Sequence, residues 1–398
     1  MTLSRFAPAS LARLLLALLL VLGPAPAPAA EPFEIDAIVS QTGNLAFIGK
    51  IQRGSLEALE EVMNQRGGIG GRPFKFVFAD DQSNPQIALQ LLNGFLAKNP
   101  PVVLGSTSSG SCNAMFPLVA KAGPVLYCMS SAVAPAPGGW GFAANTSNFD
   151  QIAAGIRYLR LRGWTRIAVI SSTDATGQIY DTNLDASLAL PENKALTIVD
   201  REHLNPTDVS ASAQLSRIKA ANAQVLVVGA TGNAAATVFH SITDIGIELP
   251  VATGAGNALV SALKQFASFL PKELYFFTPI SAAPNDVTDR GTRDAMKMLL
   301  TAIASRGLEP DGVIASSWDP GLIVVSTLRA LGPNATATQV RDHLANLVGF
   351  YGVNGRYDFK KQPQRGADQN AIVVALWDPV KARFTSVSKP GGVPLGVR

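Results

Sequence analysis

The chain has 398 residues, more than one ordinary hydrophobic core accommodates, so two domains are expected. Hydrophobic residues make up 47% of the chain and charged residues 16%, which is typical of a globular protein and excludes a disordered one. The formal net charge is +4 and no cluster of lysine and arginine stands out, so nucleic acid is not an expected partner.

Residues 1–30 have the pattern of a cleaved secretory signal peptide. Arg5 and Arg13 supply positive charge, and the apolar run over 14–22 is too short to span a bilayer. Small residues over 25–30 favour cleavage after Ala29 or Ala30, and an N-terminal membrane anchor is the alternative. No cysteine lies near the cleavage site, so we expect a periplasmic protein that is not a lipoprotein.

The cysteines of the chain are Cys112 and Cys128. An even number of cysteines in an exported protein is typical of a disulfide. Two buried thiols are the alternative, and the sequence leaves both open.

The first half of the chain alternates strand and helix, which is typical of parallel sheets covered by helices. Strand 33–39 is followed by a polar turn and a helical pattern, which the glycines over 67–71 end before strand 74–78. Over 80–85, paired carboxylates are compatible with acid–base chemistry or a cation. Capping of the next helix by Ser83 or Asn84, with Pro85 in its first turn, is the favoured interpretation.

Hydroxyl residues follow two neighbouring predicted strands of this half. Strand 102–104 ends in Gly105 and a polar turn, and strand 125–127 ends in a second one. Unpaired N–H groups at the helix start attract anions, and ligands of open α/β sheets bind outside the carboxyl ends of strands. We therefore expect a site for a small carboxylate that includes Ser106, Thr107, Ser108, Ser109, Ser130 and Ser131.

A second α/β series begins after residue 148. Its predicted strands, most of them followed by polar or glycine-containing turns, cover 167–170, 196–199, 225–228, 249–252 and 274–277. Long helical patterns over 287–305 and 314–331 precede a last clear strand at 372–377. The turns of this series are expected to add Thr176, Thr231, Thr253 and Asn257 to the site.

The sequence lacks the usual marks of an enzyme. His203, His240 and His343 are far apart without metal-ligand spacing, and there is no phosphate-binding loop. The segment 106–110 lacks the first glycine of a nucleophile elbow. We expect binding without catalysis, and no cofactor or metal.

Several short motifs together resemble one family. They are Gln41-Thr42-Gly43, Asn64 with the run 67–73, the run 79–82 with Pro85, Gly105 with its serines, and Gly123-Pro124. In these the chain resembles the periplasmic solute-binding proteins of branched-chain amino acid ABC transporters. The resemblance implies an α/β fold of two doubly wound lobes with parallel-sheet cores, joined by three crossings, as in type I periplasmic binding proteins.

By the same resemblance, the crossings lie near Thr146, Thr278 and Phe350. Lobe one would comprise 31–146 plus 279–350, and lobe two 147–278 plus 351–398. The family implies a monomer that closes over its ligand and presents the closed form to the membrane subunits of an ABC transporter. A sensor that presents the same form to a membrane receptor is an alternative.

Departures from the family pattern affect the expected ligand. Ser109 and Ser130 match positions that hold a ligand's carboxylate and amine, but Ala132 and Thr176 replace a threonine and a stacking tyrosine. Thr253 stands where the family carries an acid that pairs with an α-ammonium group. A buried ammonium without that partner costs roughly 3–5 kcal/mol, unless Asp174 compensates.

The sequence therefore favours an aromatic or other small organic acid, as in relatives that bind benzoate-type acids. A branched-chain amino acid is the alternative. The apolar wall of the site is expected from Phe47, Ile48, Tyr127 and Trp318.

Overall fold

A computed structural model describes residues 31–144 and 146–396. The expected signal peptide, residues 1–30, lies outside these residues. The helices, numbered in chain order, are α1 Ala46–Gln65, α2 Pro85–Leu96, α3 Ser109–Val119, α4 Asn148–Leu161, α5 Ala175–Leu188, α6 Ser212–Ala220, α7 Asn233–Asp244, α8 Val260–Gln265, α9 Arg290–Ala304, α10 Ala315–Leu331 and α11 Ala337–Ala345.

The strands follow the same order. They are β1 Phe33–Val39, β2 Phe74–Asp80, β3 Val102–Leu104, β4 Val125–Cys128, β5 Gly141–Ala143, β6 Arg166–Ser172, β7 Thr197–Leu204, β8 Val225–Gly229, β9 Val251–Gly254, β10 Leu274–Pro279, β11 Val348–Gly352, β12 Gly355–Asp358, β13 Ile372–Asp378, β14 Arg383–Ser386, β15 Ser388–Lys389 and β16 Val393–Pro394.

The first sheet has the strand order β2-β1-β3-β4-β5, and its neighbouring strands are parallel. β1 pairs with β2 along its whole length, from Phe33 opposite Phe74 to Val39 opposite Asp80. The chain moves outward in one direction from β1 to β2 and in the other from β3 to β5. This reversal opens a crevice at the carboxyl ends of β1 and β3, where open α/β sheets bind ligands.

The second sheet repeats this arrangement around β6. Its order is β14-β13-β10-β9-β8-β6-β7, with β6 to β10 parallel and β13 and β14 antiparallel. The reversal of chain direction falls between β6 and β8. Each sheet therefore offers one crevice, at the end of the strands where the sequence carries its hydroxyl residues.

The cap expected before α2 is confirmed. The side chain of Asn84 accepts from the backbone N–H of Gln86 at 2.8 Å, and Pro85 occupies the first turn. Asp80 and Asp81 serve the same region, since Asp80 accepts from the backbone N–H of Gln41 and Asp81 from the hydroxyl of Ser40. These carboxylates therefore hold the turns after β1 and β2.

The hydrophobic cores follow the two sheets. The core of the first sheet includes Met296 and Trp318 from the long helices α9 and α10, whereas β13 lies in the second sheet. The first core also continues past Phe350, because Tyr357 and Phe359 are buried in it. We therefore propose that the third crossing follows residue 367 and does not lie at Phe350.

Tyr127 and Trp318 are fully buried in the first core. The expectation that they form an aromatic wall of the ligand site is therefore wrong. Tyr127 lies on β4 and Trp318 on α10, and both side chains fill the core between the sheet and its helices.

Cys112 and Cys128 form a disulfide, with their Cα atoms 6.2 Å apart. The bond joins the first turns of α3 to the end of β4. It thus fixes the two hydroxyl-rich turns of the first sheet relative to each other.

Across residues 31–144 and 146–396, no helix has the length and apolarity that crossing a bilayer requires.

Candidate functional site

A cleft lies where the carboxyl ends of the two sheets face each other, with an empty volume of about 800 Å³ that includes the open solvent at its mouth. Both sheets contribute the residues that follow their strands, and α1, α4 and α5 contribute side chains. The residues that line it are Leu45, Ile48, Gln52, Thr107, Ser109, Met129, Ser130, Ser131, Ala132, Asn148, Gln151, Thr176, Tyr180, Val228, Gly229, Ala230, Thr231, Gly254, Ala255, Gly256, Gly312, Val313 and Ser316.

None of these lining residues is an aspartate, glutamate, lysine, arginine or histidine. Seven of the residues predicted from the sequence are among them: Ile48, Thr107, Ser109, Ser130, Ser131, Thr176 and Thr231. The structure thus brings together hydroxyl residues that are up to 124 positions apart in the chain, between Thr107 and Thr231. Their contact with a ligand stays a prediction.

Helix α3 points its N-terminus at the cleft. Ser108 caps it, accepting from the backbone N–H of Ser111 at 3.3 Å. Within the described residues, no acceptor is found for the backbone N–H groups of Ser109 and Gly110, as is usual for the first residues of a helix. Together with the helix dipole, these donors favour a bound anion.

The two halves of the cleft touch at Ser109 and Thr176, whose hydroxyl oxygens are 3.2 Å apart. A second contact lies at the rim, where Phe47 packs edge-to-face against Phe266 with ring centroids 6.2 Å apart. A third is made by Gly232, whose φ is +62°; a Cβ there would lie 2.5 Å from the carbonyl oxygen of Asn44. The absence of a side chain at Gly232 therefore allows the halves to approach.

Gln52 joins several walls of the cleft and was missed by the sequence analysis. Its amide nitrogen donates to the carbonyl of Met129 at 3.0 Å and to the hydroxyl of Ser316 at 2.9 Å. Its carbonyl accepts from the hydroxyl of Thr107 at 2.6 Å. Because both ends of the amide are occupied, Gln52 holds the neighbouring walls of the cleft in position.

Tyr180 was also missed. The residue is 5% exposed, and its buried hydroxyl has no hydrogen-bond partner among the described residues. Burial, followed by the nearby Asp181 carboxylate, raises the pKa of Tyr180 above its usual value, so the hydroxyl remains a donor. A Cβ at Gly229 would lie 2.6 Å from the Tyr180 ring, so the glycine provides the space that the ring occupies.

The remaining predicted site residues lie outside the lining. The Ser106 hydroxyl donates to the Asp81 carboxylate at 2.5 Å, and Ser108 is used as the helix cap. Thr253 is fully buried and donates to the carbonyl of Val228 at 2.9 Å.

Asn257 and Phe47 are displaced from the cleft as well. The Asn257 amide donates to the carbonyl of Ala230 at 2.7 Å and to the Thr253 hydroxyl at 2.8 Å. Phe47 lies on a smaller apolar cavity with Phe239 and Phe266. These five side chains lie outside the lining because backbone groups, a carboxylate or a neighbouring ring already contact them, and their contact with a ligand stays a prediction.

Two acidic residues close to the lining in sequence are used elsewhere. Asp174 caps α5, accepting from the backbone N–H of Gly177 at 3.0 Å and from the Ser172 hydroxyl at 2.7 Å. Asp311 lies directly before two lining residues, but its carboxylate accepts from the backbone N–H groups of Val313 and Ile314. Burial raises the pKa of Asp311 to about 7.

Comparison with known proteins agrees with this geometry. The sequence profile described as "periplasmic binding protein" matches residues 32–378. The chain belongs to the periplasmic binding protein family. Proteins of this family bind substrates and are not enzymes, so the expected class is confirmed.

Individual relatives are distant. The Leu/Ile/Val-binding protein homolog 3 of Brucella melitensis is 25% identical over 227 residues, which cover 56% of this chain and 61% of that relative. The match thus spans less than two thirds of the length of that relative.

Solved structures share the fold. An extracellular ligand-binding receptor from Rhodopseudomonas palustris HaA2 has a TM-score of 0.79 at 20% identity, covering 89% of this chain and 99% of the receptor. An ABC transporter solute-binding protein from R. palustris, in complex with benzoate, has a TM-score of 0.73 at 16% identity over 92% of this chain and 97% of that one. The expected fold of type I periplasmic binding proteins is therefore confirmed.

Proposed function

We propose that this chain is the periplasmic substrate-binding protein of an ABC importer and that it captures a small organic acid without an ammonium group. An aromatic acid of the benzoate type is the favoured ligand. The observation that carries the proposal is the cleft lining, which is rich in hydroxyl donors and free of ionisable acids and bases.

The carboxylate end of such a ligand has suitable partners at α3. The hydroxyls of Ser109 and Ser130 and the free N–H groups at the helix start are all donors. Hydrogen bonds to an ionised group contribute about 1.5–3 kcal/mol each, roughly twice the value for neutral pairs. The apolar body of the ligand would contact Leu45, Ile48 and Val313.

An α-ammonium group has no comparable partner. The acids directly next to lining residues in sequence are Asp150, Asp181 and Asp311, and each already accepts hydrogen bonds from hydroxyl or backbone N–H groups. Asp174 is used as the cap of α5. An unpaired buried charge costs roughly 3–5 kcal/mol, which is two to four orders of magnitude in affinity. This argues against an amino acid as the preferred ligand.

Closure explains how capture would be signalled to the membrane subunits. A ligand bound beside Ser109 of one lobe and Thr176 of the other contacts both lobes only when they are closed, so it shifts the population toward that form. The R. palustris neighbour in complex with benzoate shows that this fold accommodates such an acid.

Branched-chain amino acids are the second candidate, favoured by the description of the Brucella relative. Calorimetric titration of the purified protein with benzoate, 4-hydroxybenzoate and leucine distinguishes the two. We expect measurable binding of an aromatic acid and at least a hundredfold weaker binding of leucine. Tight leucine binding without binding of either aromatic acid would overturn the proposal.

The importer role needs a separate test. Detergent-solubilised membranes from the source organism, passed over the immobilised protein loaded with benzoate, should release permease subunits identifiable by mass spectrometry. Recovery of a receptor with a signalling domain instead would indicate a sensor.

A further inference from the structure

Arg365 is a buried cation directly behind the cleft. It is 9% exposed, and its guanidinium donates to the carbonyls of Ala144 at 3.3 Å, Thr146 at 3.4 Å and Ser131 at 3.2 Å, and also to that of Val133. No ion pair joins it to a carboxylate in the part of the chain that the structure describes. Its direct hydrogen-bond partners are therefore backbone carbonyls, which carry no net charge.

One of these carbonyls connects Arg365 to Ser130, a residue proposed to bind the ligand's carboxylate. The peptide group between Ser131 and Ala132 accepts from Arg365 at its oxygen and donates through the N–H of Ala132 to the Ser130 hydroxyl at 3.3 Å. Hydrogen bonds in such chains polarise one another. The Ser130 hydroxyl accepts within this chain, so its proton is available to a ligand.

A second carbonyl leads to the opposite wall. The oxygen of Thr146 accepts both from Arg365 and from the side-chain amide of Gln151 at 3.3 Å. Gln151 and Ser130 both line the cleft. A single peptide group thus separates Arg365 from each of two cleft-lining side chains, Ser130 and Gln151. Arg365 itself lies between the turns after β4 and β5.

We propose that Arg365 is a positioning residue for anion selectivity: it provides the positive potential that makes an otherwise uncharged cleft prefer a carboxylate. It acts through the Ser131–Ala132 peptide and Ser130, without touching the ligand. The inference rests on the proposed function in that the ligand is an acid. Beyond that function, it identifies the residue that makes the cleft bind an acid more tightly than its neutral analogue.

A merely structural role would weaken all ligands alike, so the test compares a charged ligand with a neutral analogue. Benzoate and benzamide are titrated into the wild-type protein and into Arg365→Gln and Arg365→Lys. We expect Arg365→Gln to lose about tenfold or more in benzoate affinity, equivalent to about 1.4 kcal/mol, with benzamide affinity changed less than twofold. Arg365→Lys should retain most of the benzoate preference.

Asp150 offers a variant that does not remove the buried residue. Its carboxylate accepts from Ser147 and is the acid whose charge acts on Arg365. Asp150→Asn removes an opposing charge, so benzoate affinity should rise by about twofold to threefold while benzamide affinity stays constant. This arm remains informative if Arg365→Gln does not fold.

Equal losses for benzoate and benzamide in Arg365→Gln, or no loss for either, would overturn the inference. If the wild-type protein binds leucine and not benzoate, the proposed function fails, and leucine with leucinamide replaces the pair. Selective loss of leucine would then still support Arg365. Wild-type binding of neither acid contradicts both proposals.

Discussion

The hydroxyl oxygens of Ser109 and Thr176 lie 3.2 Å apart, and each residue stands in the first turn of a helix that follows a different sheet. The N-termini of α3 and α5 therefore converge on one point of the cleft. Asp174 already supplies negative charge to the second helix, whereas the neutral Ser108 caps the first. An incoming anion is thus best placed at α3.

Ser109→Ala should reduce benzoate affinity by about tenfold or more, because a hydrogen bond to an ionised group is lost. Thr176→Val should reduce benzoate affinity by less. Its helix, α5, is already capped by the negatively charged Asp174, so the anion is expected nearer to α3. Calorimetry on both single variants and the double variant gives the coupling between them. Additive losses would show that the Ser109–Thr176 contact does not contribute to closure.

Tyr180→Phe should stabilise the ligand-free protein by about 1 kcal/mol, because it removes a buried donor without a partner. Urea unfolding measures the change. Tyr275→Phe is the matched control, since the Tyr275 hydroxyl donates to Glu273 at 2.9 Å and its removal should not stabilise. Destabilisation by Tyr180→Phe would mean that the hydroxyl has a partner in solution.

Asp311 predicts a pH dependence of stability. Its pKa is raised to about 7 by burial, above the unfolded value of 3.8, so between pH 4 and 7 the folded state keeps a proton that the unfolded state has lost. Raising the pH through this window therefore lowers the free energy of unfolding. Asp311→Asn should remove this dependence and become the more stable protein at pH 8, by on the order of a few kcal/mol.

Asp289→Asn controls for a general effect of removing a carboxylate. Hydrogen bonds from Thr292 lower the pKa of Asp289, so its contribution is present above the unfolded pKa and is lost as the pH falls. Between pH 4 and 8, measured by urea unfolding, Asp289→Asn should keep the pH slope of the wild-type protein, because the contribution of Asp289 changes only below this range, whereas Asp311→Asn should lose that slope. Equal slopes would contradict the assignment of Asp311.

Reduction of the Cys112–Cys128 bond should lower the free energy of unfolding by about 3 kcal/mol, since the bond closes a short loop of 16 residues' separation. The chain has two cysteines, so a reductant acts at this bond alone. Unfolding in urea with and without reductant measures the change, and a double serine variant, insensitive to reductant, is the control. An unchanged midpoint would show that the bond is not formed.

Much of the fold was predictable because strand and helix leave different periodic patterns. The alternation of apolar strands with helices placed β6, β8 and β10 within a few residues of their observed bounds. We propose a later third crossing than the sequence indicates because β11 and β12 form a hairpin whose Tyr357 packs into the first core. A local pattern of strand residues does not tell which core they join.

The site was predicted only in part. Hydroxyl residues after strands are visible in a sequence, and Ser109, Ser130 and Thr176 do face the cleft. The pattern does not show which hydroxyls are already bonded, as those of Ser106 and Thr253 are. Gln52 had a usable signal, since it is a polar residue four positions from Ile48 and from Leu56 on the buried face of α1.

Gly232 carries a consequence for engineering. A single methyl group there would meet the Asn44 carbonyl of the facing half at 2.5 Å, and it would do so outside the ligand pocket. Gly232→Ala is thus a minimal change that should favour the open form while leaving the ligand-contacting residues unchanged. A fluorescent reporter attached on either side of this gap would then distinguish closure of the lobes from binding of the solute itself.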